Sequence, residues 1–213
     1  MIFKFSPIKV TKFTWQEIKG INRFIWILIW SALLLTFGFG LITPIFAVFL
    51  TQQIQGGSLV VVGVAEMIYL VTKSILQVPI SILIDKTSGE KIDFYCIFIG
   101  GILITLVPFL YLWVLFPWQI YILQFIYGLG AAFDWPAWMG LFTRHIDENK
   151  ESFEWSLQTT IEEIGLAGAA VIGGLLADRL GFKPVFLLVG IFSFLTFLFL
   201  FIFYQKVKEE IRG

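Results

Sequence analysis

Apolar positions fall in six long blocks along the chain, at 24–50, 58–84, 94–116, 118–142, 155–177 and 184–204. Short stretches between the blocks hold most of the charge. Each block reaches or exceeds the roughly 20 residues a helix needs to cross the hydrocarbon core of a bilayer. A spanning barrel strand would alternate apolar and polar positions over about ten residues. These blocks do not alternate, so the pattern predicts six transmembrane helices in an all-α integral membrane protein.

The second block breaks the pattern from inside. It reads VVGVAEMIYLVTKSILQVPISILIDK and places Glu66 and Lys73 where lipid is expected. Seven residues are two helical turns, about 10 Å along the axis and almost one azimuth. Tyr69, Gln77 and Ser81 extend the same stripe. Ionisable groups at this depth face a cavity or a partner as a rule. Two readings stay open for the pair: a substrate or ion path, or an ion pair that specifies helix packing. In the path reading Glu66 takes up a proton or cation and Lys73 holds an anionic group.

Composition agrees with the pattern. Of 213 residues, 58% are hydrophobic and only 14% charged, with a mean hydropathy of +0.89, against roughly 25% charged in soluble domains. Cys96 is the sole cysteine and His145 the sole histidine. No disulfide framework or multi-histidine metal site is therefore expected, and no cofactor. The formal net charge is zero, and no nucleic-acid partner is expected. The first apolar block starts too late and runs too long for a cleavable signal.

Charge placement gives an orientation. Lys4, Lys9, Lys12, Lys19, Arg23, Lys86, Lys91, Arg144, Lys150, Lys206, Lys208 and Arg212 fall on one side of the six blocks, and only Arg179 and Lys183 on the other. The positive-inside rule predicts both termini in the cytoplasm and the protein in the cytoplasmic membrane. Residues 1–23 form a basic segment, read either as an interfacial helix on an anionic leaflet or as a disordered leader. Residues 24–205 form the membrane domain and 206–213 a charged tail.

The stretch after the second block, SILIDKTSGEK, places Ser81, Asp85, Lys86, Gly89 and Lys91 in one loop. It resembles the signature of the major facilitator superfamily of secondary transporters, G-x-x-x-D-R/K-x-G-R/K-R/K. Ser81 replaces the leading glycine, one residue is inserted before Gly89, and Glu90 stands where a basic residue is usual. The first block's GFGLITPIFAVFL and the fourth block's YGLGAAFDWPAW are similar to segments of that superfamily, with Gln124 at the place of an arginine. In the fifth block, Gly165, Gly173 and Gly174 match the spacing of a glycine motif whose Gly-Pro centre is here Ala169-Ala170.

The resemblance implies a six-helix bundle of two inverted three-helix repeats, one half of such a transporter. It implies alternating access for a small-molecule solute, no enzymatic activity, and a gate at Ser81, Asp85, Lys86, Gly89 and Lys91. One six-helix half cannot enclose a path, so a homodimer or a second six-helix half is expected as partner besides the lipid bilayer. A non-transporting scaffold or accessory subunit with the same fold is the alternative. Asp134, beside Pro136, is expected at a helix break lining the cavity, or else paired with Arg144 or Lys86. Glu162 and Glu163 are read first as part of a charge network with Lys86, Lys91 or Arg144. The loop from Arg144 to Lys150, with His145 among acids, is read as a solvated gate loop. Gly165, Gly173 and Gly174 are read as marks of close helix packing.

Overall fold

The computed structural model describes residues 18–87 and 89–210; most of the basic segment 1–23 lies outside the described residues. The helices are α1 (Arg23–Gly40), α2 (Phe46–Gln52), α3 (Leu59–Lys86), α4 (Lys91–Leu110), α5 (Pro117–His145), α6 (Glu151–Leu180) and α7 (Phe182–Glu210). A 3-10 turn, Tyr111–Trp113, extends α4. Five of these units are long and apolar enough to cross a membrane: α1, α3, α4 with its turn, α6 and α7. The remaining long helix, α5, has 29 residues and so measures about 43 Å. Gln119, Gln124, Asp134, Arg144 and His145 make it less apolar than the others. The chain is a multi-pass, all-helical membrane protein.

Local chemistry sets the ends. Asn22 caps α1, its side-chain oxygen accepting from the Phe24 N–H at 2.9 Å. Ser58 caps α3 through the Val61 N–H at 3.3 Å. Before α5, Gln119 Oε1 accepts from the N–H groups of Leu115 and Phe116 at 2.7 and 2.9 Å. Gly89 and Gly181 take φ of +84° and +80°, a region open to glycine, at the turns into α4 and α7.

Two expectations about helix continuity are corrected. The first apolar block is not one helix: α1 stops at Gly40 and turns lead through Leu41–Ile45 into α2. Pro44 lies in that break, where its missing N–H costs no helical hydrogen bond. By contrast, α5 runs through Pro136 without interruption. Pro136 removes one backbone hydrogen bond, and the chain continues as helix on both sides of it. The backbone of α7 continues through residues 206–210, into the charged tail.

In packing, α5 lies along both α3 and α4, and α1 lies along both α6 and α7. α4 joins the two groups by packing on α7. The tightest crossings are bare backbone. A Cβ on Gly100 of α4 would stand 2.5 Å from the Gly130 carbonyl oxygen of α5, and one on Gly128 would stand 2.7 Å from the Tyr69 carbonyl oxygen of α3. Small residues thus draw α3, α4 and α5 together, as lipid-embedded helices require in the absence of a hydrophobic drive.

Two apolar clusters result. One, around Ile25, Leu28, Ile97 and Phe142, lies toward the end that carries Lys86 and Arg144, here called the basic end. The other, around Leu41, Leu50, Val185 and Phe186, lies toward the opposite end. Phe39 and Tyr127 pack against both.

α3 and α6 stay the least covered: 17% and 11% of their apolar windows are buried, against 39–44% for the other three. The motif glycines of α6 divide accordingly. A Cβ on Gly173 would overlap the Leu41 carbonyl oxygen, and one on Gly165 would press on the Leu33 side chain. Gly174, expected to mark packing, meets nothing within 4 Å. Gly173→Ala is therefore expected to destabilise the chain by about 1–3 kcal/mol through overpacking, and Gly174→Ala to leave it unchanged, as read by thermal unfolding in detergent. Equal melting temperatures for the two variants would contradict this packing.

Candidate functional site

Two cavities follow one another along the bundle. The one nearer the basic end, about 230 Å³, is lined by α1, α3, α4, α5, α6 and α7, and Lys73, Asp134 and Glu162 open into it. The second, about 250 Å³, contains Glu66, Tyr111 and Gln124. Phe39, Tyr69 and Tyr127 line both. Their rings stack across three helices, Phe39 on Tyr127 at 5.1 Å and Tyr127 on Tyr69 at 4.8 Å between centroids. This stack separates the cavities and explains why Phe39 and Tyr127 touch both apolar clusters.

Helix register delivers the charges. The Gly128 crossing sets α3 against α5 at Tyr69 and Thr72, so Lys73, one position on, reaches toward Asp134 and Trp135. Lys73 Nζ lies 5.4 Å from the Trp135 ring centroid, within reach of a cation–π attraction. Asp134 is buried on α5. From the far wall, Glu162 of α6 accepts a hydrogen bond from the Thr36 hydroxyl of α1 at 3.2 Å. Two further polar groups in the walls lack partners: Trp138 Nε1 and Gln124 Oε1.

The structure brings Lys73, Tyr69 and Asp134 to one cavity and Glu66 to the next. Glu66 and Lys73 share a helix face but are separated by the ring stack, and no ion pair joins them. Gln77 lines neither cavity. Ser81 donates to the Val78 carbonyl of its own helix at 2.8 Å. The polar stripe of α3 therefore ends, as a cavity wall, at Lys73. Glu162 is a wall residue and Glu163 is exposed, so the charge network expected for them is absent among the described residues.

The ion pairs at the basic end also differ from expectation. Asp85, Lys86 and Lys91 are exposed, and none makes an ion pair among the described residues. Arg144 instead binds Asp93 at 2.7 Å, and His145 Nε2 meets Glu90 at 3.1 Å. His145 is the last residue of α5 and half-buried, its Nδ1 2.9 Å from the Leu141 carbonyl and its ring stacked on Phe24 at 3.9 Å. It is thus a docked contact between α1, α4 and α5, not part of a solvated loop. The physical reason is reach. The turn at Gly89 aims the start of α4 at the end of α5, leaving the end of α3 in solvent. Glu90, the residue that departs from the family signature, and Asp93 do the pairing. Lys150 closes a further contact, with Asp147 at 3.1 Å and the Gly20 carbonyl at 3.2 Å.

The sequence model of the Major Facilitator Superfamily matches residues 28–212, most of the chain. No curated protein matches it. The protein belongs to the Major Facilitator Superfamily, whose members are membrane transporters, not enzymes.

The Glu90–His145 contact carries a pH dependence. Its hydrogen bond with Glu90 raises the His145 pKa above the ordinary 6.5, and the same bond lowers Glu90 below 4.5. A raised base stabilises fully below its unfolded value and loses that stabilisation as pH rises through the folded value. A lowered acid stabilises above its unfolded value and loses that as pH falls through the folded value. The pair is therefore strongest between pH 4.5 and 6.5. Because His145 is the only histidine, NMR of ring-labelled protein in nanodiscs reads it directly. Its pKa is expected above the ordinary value in the wild type and lower in Glu90→Gln. An identical titration in both would rule the contact out.

Proposed function

We propose that this protein is a secondary transporter of the major facilitator type that moves a small solute across the cytoplasmic membrane by alternating access. The observation that carries the reading is the meeting of Lys73, Asp134 and Glu162, from three helices, at one cavity within the bundle. Charged groups are costly in hydrocarbon and persist where they serve a path. The stacked rings between the two cavities supply a movable partition. Glu66 serves the second cavity, and Asp85, Lys86, Gly89, Lys91 and Ser81 form the cytoplasmic gate segment. The charge bias of the loops supports cytoplasmic termini.

The packing map supports six spans in a three-plus-three inverted repeat, with α1 and α2 together as the first span and α5 as the fourth. Exchange α1 with α5, α3 with α6 and α4 with α7. The α3–α5 contact becomes α6–α1, the α4–α5 contact becomes α7–α1, and α4–α7 maps onto itself. Assembly of two six-helix units, in a homodimer, follows from what α3 and α6 leave bare. Both line the first cavity, and both are largely uncovered. Their open faces carry Glu66 and Glu163, which lipid does not favour.

Proteoliposome flux tests the transport reading. Asp134→Asn is expected to slow flux by about tenfold or more, the scale of losing a charge-assisted contact. No flux of any solute under any imposed gradient, over a broad panel, would favour a scaffold or accessory subunit. Cysteine crosslinking in native membranes tests the assembly. In a Cys96→Ala background, Ile164→Cys on α6 is expected to give a dimer. Ile102→Cys, equally exposed on α4 (69% against 70%), is expected to stay monomeric. Monomer from both positions would count against the homodimer.

A further inference from the structure

Acids outnumber bases along the two cavities. Asp134 and Glu162 line the first with Lys73 as its sole basic side chain, and Glu66 lines the second with none. An anion entering this path meets an excess of carboxylate, and the one lysine is already seated over Trp135. A cation meets the reverse. The walls also suit a cation with an apolar body. Trp135 faces a charged nitrogen already, and Tyr69, Tyr127 and Trp138 continue the aromatic surface.

Two buried groups point independently to a ligand. Trp138 is 5% exposed, lines the first cavity, and its indole N–H has no acceptor. Gln124 is 4% exposed, lines the second, and its side-chain oxygen accepts no hydrogen bond. Buried polar groups in native proteins find partners as a rule, so each marks its own cavity as a place where a bound molecule or water completes the wall. A divalent metal ion fits less well. No group of three or more His, Cys, Asp or Glu converges among the described residues, whereas divalent cations take six or more oxygens.

We infer that the solute is an organic cation with an aromatic or apolar body, its charged nitrogen held by Asp134, Glu162 and the Trp135 ring in place of the Lys73 ammonium. This class assignment rests on the reading of the cavities as a solute path. It reverses the first expectation for Lys73: the lysine stands over Trp135 in the cation's place and does not hold an anionic group.

Equilibrium dialysis of the full-length protein in nanodiscs tests the inference without requiring flux. The probe is radiolabelled benzyltrimethylammonium, with its neutral carbon isostere and benzenesulfonate as competitors and empty nanodiscs as the partition control. Saturable binding is expected, displaced by unlabelled cation and by neither competitor. Asp134→Asn and Glu162→Gln should each weaken it about tenfold, the scale of one lost charge-assisted contact. Glu163→Gln, one position along α6 and outside both cavities, should leave it unchanged. Should Asp134→Asn fail to fold, the Glu162 and Glu163 pair and the competitors still decide. Displacement by the neutral or anionic compound, equal affinity in Glu162→Gln and Glu163→Gln, or no saturable binding would each overturn the inference. Cation-selective binding without flux would support the site chemistry while removing the transport reading. Flux of an anionic solute without cation binding would do the opposite.

Discussion

Everything in this fold answers to the absence of water around it. In hydrocarbon a helix satisfies its own backbone, but a carboxylate or ammonium finds no solvent and must find a cavity or a partner. The chain gathers Lys73, Asp134 and Glu162 at one cavity and Glu66 at the next, and packs the bundle around them. Glycine crossings at Gly100–Gly130 and at Gly128 bring α3, α4 and α5 to backbone contact. That closeness lets Lys73 lean on Trp135 and share a cavity with buried Asp134.

The same constraint explains the layering. Apolar clusters form toward both ends of the bundle, and Lys73, Asp134, Glu162 and Glu66 line the cavities between them. There the stack of Phe39, Tyr127 and Tyr69 divides the polar space in two. Rings suit such a place because they pack like hydrocarbon on their faces while the tyrosines keep a polar edge. Outside the membrane depth, different rules return. Arg144, His145, Glu90 and Asp93 pair directly at the basic end, joining α4 to α5.

How legible the site was depended on the residue. Glu66 and Lys73 stood out because charge in an apolar block is conspicuous in any fold. Asp134 was found by its neighbouring proline, a cue that gave the right place for the wrong reason, since α5 does not break at Pro136. Trp135 and Trp138 gave no signal, since tryptophans are common in membrane helices, and Gln124 stood out only as a replaced arginine, which does not announce that it is buried without a partner. The stripe of α3 overshot, because ideal periodicity carries Gln77 and Ser81 onto the face of Lys73 while the cavity ends first. Glu90 looked like a fault in a motif and is the partner of His145.

By itself the sequence determined that this is a helical, multi-pass membrane protein of the major facilitator kind, and which side chains would be out of place in lipid. Those are properties of length, hydropathy and local spacing, which one helix expresses without its neighbours. Only the tertiary structure decided which charges meet, where the first span breaks into α1 and α2, that one lysine faces two acids across a cavity, and that α3 and α6 remain uncovered. Each depends on the depth and angle at which helices cross, set by glycines and rings on different segments at once.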